Sequence, residues 1–125
     1  MKKILVVEDE AIAAKLLTNF LSREGYEVLD VIKNGNYVTK AVKKNNPDLI
    51  LMDIMLQGKK DGITAMKEVR EFSKVPVIYI SGYSDDKTIK NALETGSSNY
   101  FTKPYKSSEL AKAIKRVFDK NLENE

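Results

Sequence analysis

The chain has 125 residues, 42% hydrophobic and 31% charged, the size of one domain that can bury a single core. It contains no cysteine and no histidine, which excludes disulfides, thiolate zinc sites, cysteine nucleophiles, imidazole bases and phosphohistidine together. The formal charge of +3, from 21 basic and 18 acidic residues, hints weakly at nucleic acid or an anionic membrane, and any metal must be held by oxygen, which favours a hard cation.

Met1-Lys2-Lys3 leads directly into Ile4-Leu5-Val6-Val7, which reads as a buried strand ending at Glu8-Asp9-Glu10. That run is too short for a signal peptide, and no apolar stretch approaches membrane-spanning length, so a cytoplasmic protein with no membrane partner is expected. Ala13, Leu16, Leu17, Phe20 and Leu21 then fall at helical spacing, with Gly25 as the stop. Residues 28–32 form the next strand, interrupted by Asp30. Val38, Ala41 and Val42 mark a second helix, closed by Asn45-Asn46-Pro47. Leu49-Ile50-Leu51-Met52 is the most apolar strand and runs into Asp53, followed by a loop over 54–61. Ile63, Met66 and Val69 give a third helix. Residues 77–80 form a fourth strand, reached through Pro76 and ending at Ser81-Gly82. Ile89, Ala92 and Leu93 mark a short helix capped by Gly96. Residues 99–102 are a short last strand, and Leu110, Ala113, Ile114, Val117 and Phe118 form the final amphipathic helix, with Ser107 as its N-cap.

Five strands alternating with five helices imply an α/β fold with a doubly wound parallel sheet covered on both faces. The first, third and fourth strands are continuously apolar, as central strands should be. The second carries Glu27 and Asp30, and the fifth is short and polar, which suits edges. The order 2-1-3-4-5 satisfies this pattern. With no linker, repeat or low-complexity run, residues 1–125 read as one domain.

In such sheets ligands bind beyond the carboxyl ends of the strands, where the winding reverses. Here the reversal lies between the first and third strands. The groups just past the strand ends are Glu8, Asp9 and Asp53, with Ser81 after the fourth strand and Lys103 after the fifth. Three carboxylates in one mouth stay ionised only if a cation offsets their field. Magnesium suits them, because it takes one or two carboxylates and keeps waters or phosphate oxygens. A metal and a lysine beside a carboxylate favour a transferred phosphoryl group, whose oxygens need neutralising. Asp53 is the candidate nucleophile, and the Ser81 hydroxyl can bond a phosphoryl oxygen.

The runs Ile4-Leu5-Val6-Val7-Glu8-Asp9-Glu10, Leu51-Met52-Asp53-Ile54-Met55, Ile80-Ser81-Gly82-Tyr83 and Tyr100-Phe101-Thr102-Lys103-Pro104 resemble, in order and spacing, the CheY-like receiver domain of two-component response regulators. The resemblance covers essentially the whole chain and implies a flavodoxin-like sandwich. It implies that Asp53 accepts a phosphoryl group from a sensor histidine kinase or phosphotransfer protein. Asp9 would ligate Mg2+ (or Mn2+) directly, Glu8 would assist, Asp53 would share the ion, and Met55 would lend its backbone carbonyl. Lys103 would pair with the phosphoryl group, Ser81 would move to bond it, and Tyr100 would be the switch aromatic that turns inward. The Lys103-Pro104 bond would be cis. The surface of the fourth helix, fifth strand and fifth helix would change shape for a downstream output protein or domain, with phosphorylation-dependent homodimerisation left open. The implied function is a switch, not an enzyme, that assists only its own phosphorylation and dephosphorylation. At this length the receiver leaves no room for an effector, so output is expected through another protein or segment.

Some positions depart from the family pattern. Gln57 stands where a proline is common, the loop before Gly62 is one residue longer, and Glu8 replaces the commoner aspartate. Met55 and Tyr83, each two residues past Asp53 and Ser81, are bulky where polar groups are frequent, and are expected to hinder the attacking water.

Other readings fit less well. Asp53 as a helix cap, Ser81 as a turn serine and Tyr100 as edge packing are the plainer alternatives. The clusters Lys40-Lys43-Lys44 and Lys112-Lys115-Arg116-Lys120 read first as solvated helix faces. A haloacid-dehalogenase-like phosphatase needs a second acid where Met55 stands. A flavin or nucleotide binder needs a phosphate loop where Glu8-Asp9-Glu10 stands. No nucleic-acid motif is present, so no direct nucleic-acid contact is expected.

Overall fold

The computed structural model of the protein describes residues 1–123. The strands are β1 (Lys3–Val7), β2 (Glu27–Ile32), β3 (Leu49–Met52), β4 (Val77–Ser81) and β5 (Asn99–Thr102). The helices are α1 (Ala11–Arg23), α2 (Val38–Asn45), α3 (Gly62–Val69), α4 (Asp86–Leu93) and α5 (Ser107–Glu123). The strands form one parallel sheet in the order β2-β1-β3-β4-β5, as expected.

Strand periodicity divides the core into two layers. Leu5, Val7, Ile50, Met52 and Tyr79 face α2 and α3, meeting Val38, Val42, Met66 and Val69. Ile4, Val6, Leu49, Leu51 and Ile78 face α1 and α5, meeting Leu17, Leu21, Leu110, Ile114 and Phe118. β3 and β4 are buried at every position, whereas β2 and β5 are only partly covered, which is why the latter tolerate polar residues at the sheet's edges.

Register places the strand ends. Val7 pairs with Met52, so Glu8 and Asp53 leave adjacent strands side by side. Ser81 pairs with Thr102, so Lys103 emerges next to Ser81 and donates its backbone N–H to the Ser81 carbonyl at 2.8 Å. At the far side, the Arg70 guanidinium reaches the carbonyls of Thr95 and Val75, each at 2.6 Å, and ties the end of α3 to the end of α4.

Two local features differ from the sequence reading. A 3-10 turn, Gly35–Tyr37, precedes α2; the Asn34 side chain accepts the Asn36 N–H and opens it. Helix α5 begins at Ser107 itself, so Ser107 is not its cap. The Lys106 carbonyl instead accepts from Glu109 and Leu110, placing the helix start one residue earlier than the hydroxyl suggested.

Candidate functional site

The carboxyl ends of β1, β3, β4 and β5 bring Glu8, Asp9, Asp53, Ser81 and Lys103 into one mouth. Glu8 and Asp53 are 5% and 6% exposed, and Ser81 is fully buried, so these polar groups need partners. Lys103 Nζ supplies one to each carboxylate, at 2.7 Å from Glu8 Oε1 and 3.0 Å from Asp53 Oδ2. Asp53 Oδ1 also accepts the Ile54 N–H at 2.7 Å, and Glu8 Oε2 accepts the Glu10 N–H at 3.2 Å. Burial opposes the charge on Lys103, but its bonds to Glu8 and Asp53 outweigh that and hold its pKa well above the usual lysine range.

Glu8, Asp9 and Asp53 each offer a carboxylate oxygen, and the three atoms lie within 4.8 Å of one another. Asp9 is the more exposed member. An all-oxygen anionic donor set of this size suits a hard divalent cation such as magnesium, and the carboxylate charge exceeds what Lys103 alone offsets. A cavity of about 30 Å³ bordered by Glu8, Asp53, Lys103 and Tyr105 lies beside them, room for one water. Burial raises the pKa of the Tyr105 phenol there.

The loops after β3 and β4 meet beside the mouth: Met55, 59% exposed in the first, accepts the Tyr83 hydroxyl of the second on its sulfur at 3.8 Å. Ser81 Oγ accepts the Tyr83 N–H at 3.1 Å, so Ser81 is also a turn serine. The Tyr100 hydroxyl donates to the Tyr83 carbonyl at 2.7 Å, and its ring lies 6.1 Å from that of buried Tyr79. Burial pushes the Tyr100 phenol up as well. Beyond Met55, the 54–61 loop is stitched to the loop after β2: Gly35 N–H donates to the Gln57 carbonyl at 2.9 Å, and Gln57 N–H to the Lys33 carbonyl at 3.1 Å. Backbone pairing therefore shapes the segment where Gln57 replaces proline. Gly58 has φ +90°, and a Cβ there would overlap Asn34 Oδ1. Gly62 closes the loop with its N–H on the Ile54 carbonyl at 2.8 Å. A Cβ at Gly62 would overlap the Asp53 carbonyl oxygen.

The residues singled out in sequence for this site gather at one end of the sheet: Glu8, Asp9, Asp53 and Lys103 come together, Ser81 lies buried at the adjoining strand end with its carbonyl on the Lys103 N–H, and Met55 and Tyr100 meet Tyr83 nearby. The Lys103-Pro104 peptide is cis. The Met55–Tyr83–Tyr100 chain of contacts and the pairing of Asn34 with Gln57 were not read from sequence, because each joins residues from separate loops. Tyr105 was missed too, although its place directly after Lys103-Pro104 was a usable signal.

A family model for the response regulator receiver domain matches residues 4–115. The DNA-binding response regulator MtrA of Mycolicibacterium paratuberculosis is 35% identical over 120 residues, covering 96% of this chain and 52% of that protein. The transcriptional regulatory protein BaeR of Escherichia coli is 35% identical over 115 residues, covering 92% of this chain and 47% of that protein. The chain thus spans about half the length of these curated relatives. Among solved structures, the signal receiver domain of a modulated diguanylate cyclase from Desulfovibrio desulfuricans superposes with a TM-score of 0.90 at 30% identity, covering 100% of this chain and 99% of that one.

Proposed function

The chain belongs to the response regulator receiver domain family of two-component systems, and from that premise we propose that it is a phosphoacceptor switch with Asp53 as the accepting residue. The observation that carries the reading is the pairing of one lysine with two nearly buried carboxylates, with a third carboxylate in reach. An Asp53 carboxylate oxygen attacks the phosphorus of a phosphohistidine donor. The P–N bond breaks, the imidazole leaves and takes a proton, and an acyl phosphate forms on Asp53. Glu8, Asp9, Asp53 and the Met55 carbonyl would hold Mg2+ or Mn2+, which supplies neutralisation of the phosphoryl oxygens. Lys103 pairs with the phosphoryl charge, freed from Asp53 once that oxygen is esterified. Ser81 Oγ leaves the Tyr83 N–H to donate to a phosphoryl oxygen. Tyr83 then shifts, and Tyr100, bonded to its carbonyl, carries the change to the α4-β5-α5 surface.

Met55 and Tyr83, joined beside the mouth, restrict the water that would hydrolyse the acyl phosphate, which lengthens its lifetime. The donor is a sensor histidine kinase or phosphotransfer protein, and the output is a further protein or domain. The expectation that the chain itself touches no nucleic acid is withdrawn, because both relatives above are named as DNA-binding or transcriptional regulators. Among the described residues no helix is long and apolar enough to cross a membrane. The test is intact-mass measurement after incubation with a small acyl phosphate and magnesium. One added phosphoryl group is expected, lost in Asp53→Asn and lost without divalent metal. A modified Asp53→Asn variant, or a wild type that gains no mass even with a kinase, refutes the reading.

A further inference from the structure

The loops after β2 and β3 meet although the two strands are not neighbours. β1 lies between them and ends at Val7, and beyond that end the flanking chains close on each other. Asn34 and Gln57 form an isolated parallel bridge there. Gln57 N–H donates to the Lys33 carbonyl at 3.1 Å, and the Gln57 carbonyl accepts the Gly35 N–H at 2.9 Å. The bridge closes a circuit of backbone bonds around the carboxylates. Glu8 N–H donates to the Ile32 carbonyl at 2.9 Å, one residue before Lys33. Asp53 N–H donates to the Val7 carbonyl at 2.9 Å, one residue before Glu8. The fit is close: Gly58, at φ +90°, lies against the Asn34 side chain, and Gly35 lies against the Lys60 carbonyl, so that a Cβ on either would overlap its neighbour.

Within that circuit, residues 54–57 are fixed at nearly every point. The Ile54 N–H bonds Asp53 Oδ1 at 2.7 Å, and the Ile54 carbonyl accepts the Gly62 N–H at 2.8 Å. The Ile54 side chain is buried, and that of Leu56 packs against the same core cluster. Both backbone groups of Gln57 are taken by the bridge. Met55 is left between these anchors with its side chain exposed and, among the described residues, no hydrogen bond on its carbonyl. A carbonyl whose chain is pinned on both sides has little freedom left to lose on binding an ion. Magnesium takes oxygen ligands and requires them near ideal positions. We propose that the clasp of Gln57 on Lys33 and Gly35 is a positioning device for the metal: it holds the Met55 carbonyl ready to complete the ligand set of Glu8, Asp9 and Asp53, and so raises magnesium affinity. The inference rests on the metal reading of the Asp53 mouth and adds to it residues that touch neither the ion nor the phosphoryl group.

Calorimetric titration of the whole chain with magnesium and with calcium tests this. Gln57→Pro removes the N–H that Lys33 accepts, and Gly58→Ala drives a Cβ into Asn34. Each should weaken magnesium binding about tenfold, as loss of an outer support of a ligand does. Calcium, which tolerates irregular ligand sets, should weaken less. Gly25→Ala is the control. Gly25 also has φ +90°, but it lies at the other end of the sheet, just before β2, and a Cβ there meets nothing within 4 Å. That variant should lose stability to backbone strain and bind magnesium as wild type does. Unfolding midpoints with and without a fixed magnesium concentration give a second measure. A purely structural defect lowers both midpoints and keeps the stabilisation by magnesium, whereas that stabilisation should shrink in the two clasp variants. Should Gln57→Pro fail to fold, Gly58→Ala carries the test. Unchanged magnesium affinity in either clasp variant, equal losses for magnesium and calcium, or an equal loss in Gly25→Ala would overturn the clasp. A wild type that binds no magnesium would overturn the metal reading beneath it as well.

Discussion

The ammonium of Lys103 lies 3.0 Å from Asp53 Oδ2 across 50 residues of sequence, and the same nitrogen bonds Glu8 at 2.7 Å. Removing it leaves two nearly buried carboxylates facing each other. Lys103→Met should therefore lower stability at neutral pH by about 1–3 kcal/mol, less than for a fully buried pair because the lysine is partly exposed. Magnesium should recover part of the loss. The raised lysine pKa sets an alkaline limit. Its stabilisation is complete below the unfolded value of about 10.4 and fades as pH rises toward the folded one, so wild type and variant should converge in strong alkali. Urea unfolding across pH, with and without magnesium, measures all three effects; a variant as stable as wild type at neutral pH would contradict the argument.

The positions of Glu8, Asp53, Ser81 and Lys103 were legible in sequence because each directly follows a strand, and parallel register converts strand ends into neighbours. The burial of β3 and β4 and the edge character of β2 and β5 were legible for a similar reason: periodicity reports how many faces are covered. Contacts between loops carry no periodicity. The Tyr83 hydroxyl on the Met55 sulfur and the Gln57 backbone on Lys33 and Gly35 depend on how two turns happen to meet. The start of α5 was misread because a serine competes for either the cap or the first turn, and here the Lys106 carbonyl took the capping position.

Met55 and Tyr83 make a further prediction. Their side chains touch, both are exposed, and each lies two residues past a residue of the site, Asp53 or Ser81, so on the proposed reading they would screen the approach to Asp53. Met55→Asn opens that screen and adds a polar group able to orient water. Loss of the phosphoryl group should speed up several-fold, and Tyr83→Ala should do so to a smaller extent. Decay of the phosphorylated mass with time reads the rate directly, and an unchanged or slower rate in Met55→Asn would sink the idea.

Gly62 tests how tightly the third strand's end is held. A methyl group there meets the Asp53 carbonyl oxygen, which is backbone and cannot swing aside. Gly62→Ala should cost about 1–3 kcal/mol, typical of overpacking, and should also slow phosphorylation because the displaced atom belongs to Asp53, the proposed acceptor. Gly82→Ala is the control, since a Cβ at Gly82 meets nothing within 4 Å. Denaturation midpoints and rates of mass gain from an acyl phosphate compare the two variants. Equal behaviour in both assays would contradict the crowding at Gly62.

Tyr79 packs between the core and Tyr100 and gives an alkaline signature. Its ring is fully buried beside Tyr100, and its hydroxyl lies 2.8 Å from Thr95 Oγ1. Burial pushes its pKa up to about 12, with the Thr95 bond pulling the other way. The folded state thus prefers the neutral phenol. Stability should be unaffected below the unfolded value of about 10 and should fall by about 3 kcal/mol as pH rises through the folded one. Tyrosinate absorbance should show the Tyr79 phenol ionising last, after the exposed phenols and the less strongly raised Tyr100 and Tyr105, and Tyr79→Phe should delete that last step alone. The same variant keeps the ring against Tyr100 but strands Thr95 Oγ1 with only the Ala92 carbonyl, so α4 should loosen at its carboxyl end. Faster amide exchange at Thr95 and Gly96 measures that loosening. Unchanged exchange there would mean that Arg70, bonded to the Thr95 carbonyl, holds the end of α4 without help from the tyrosine.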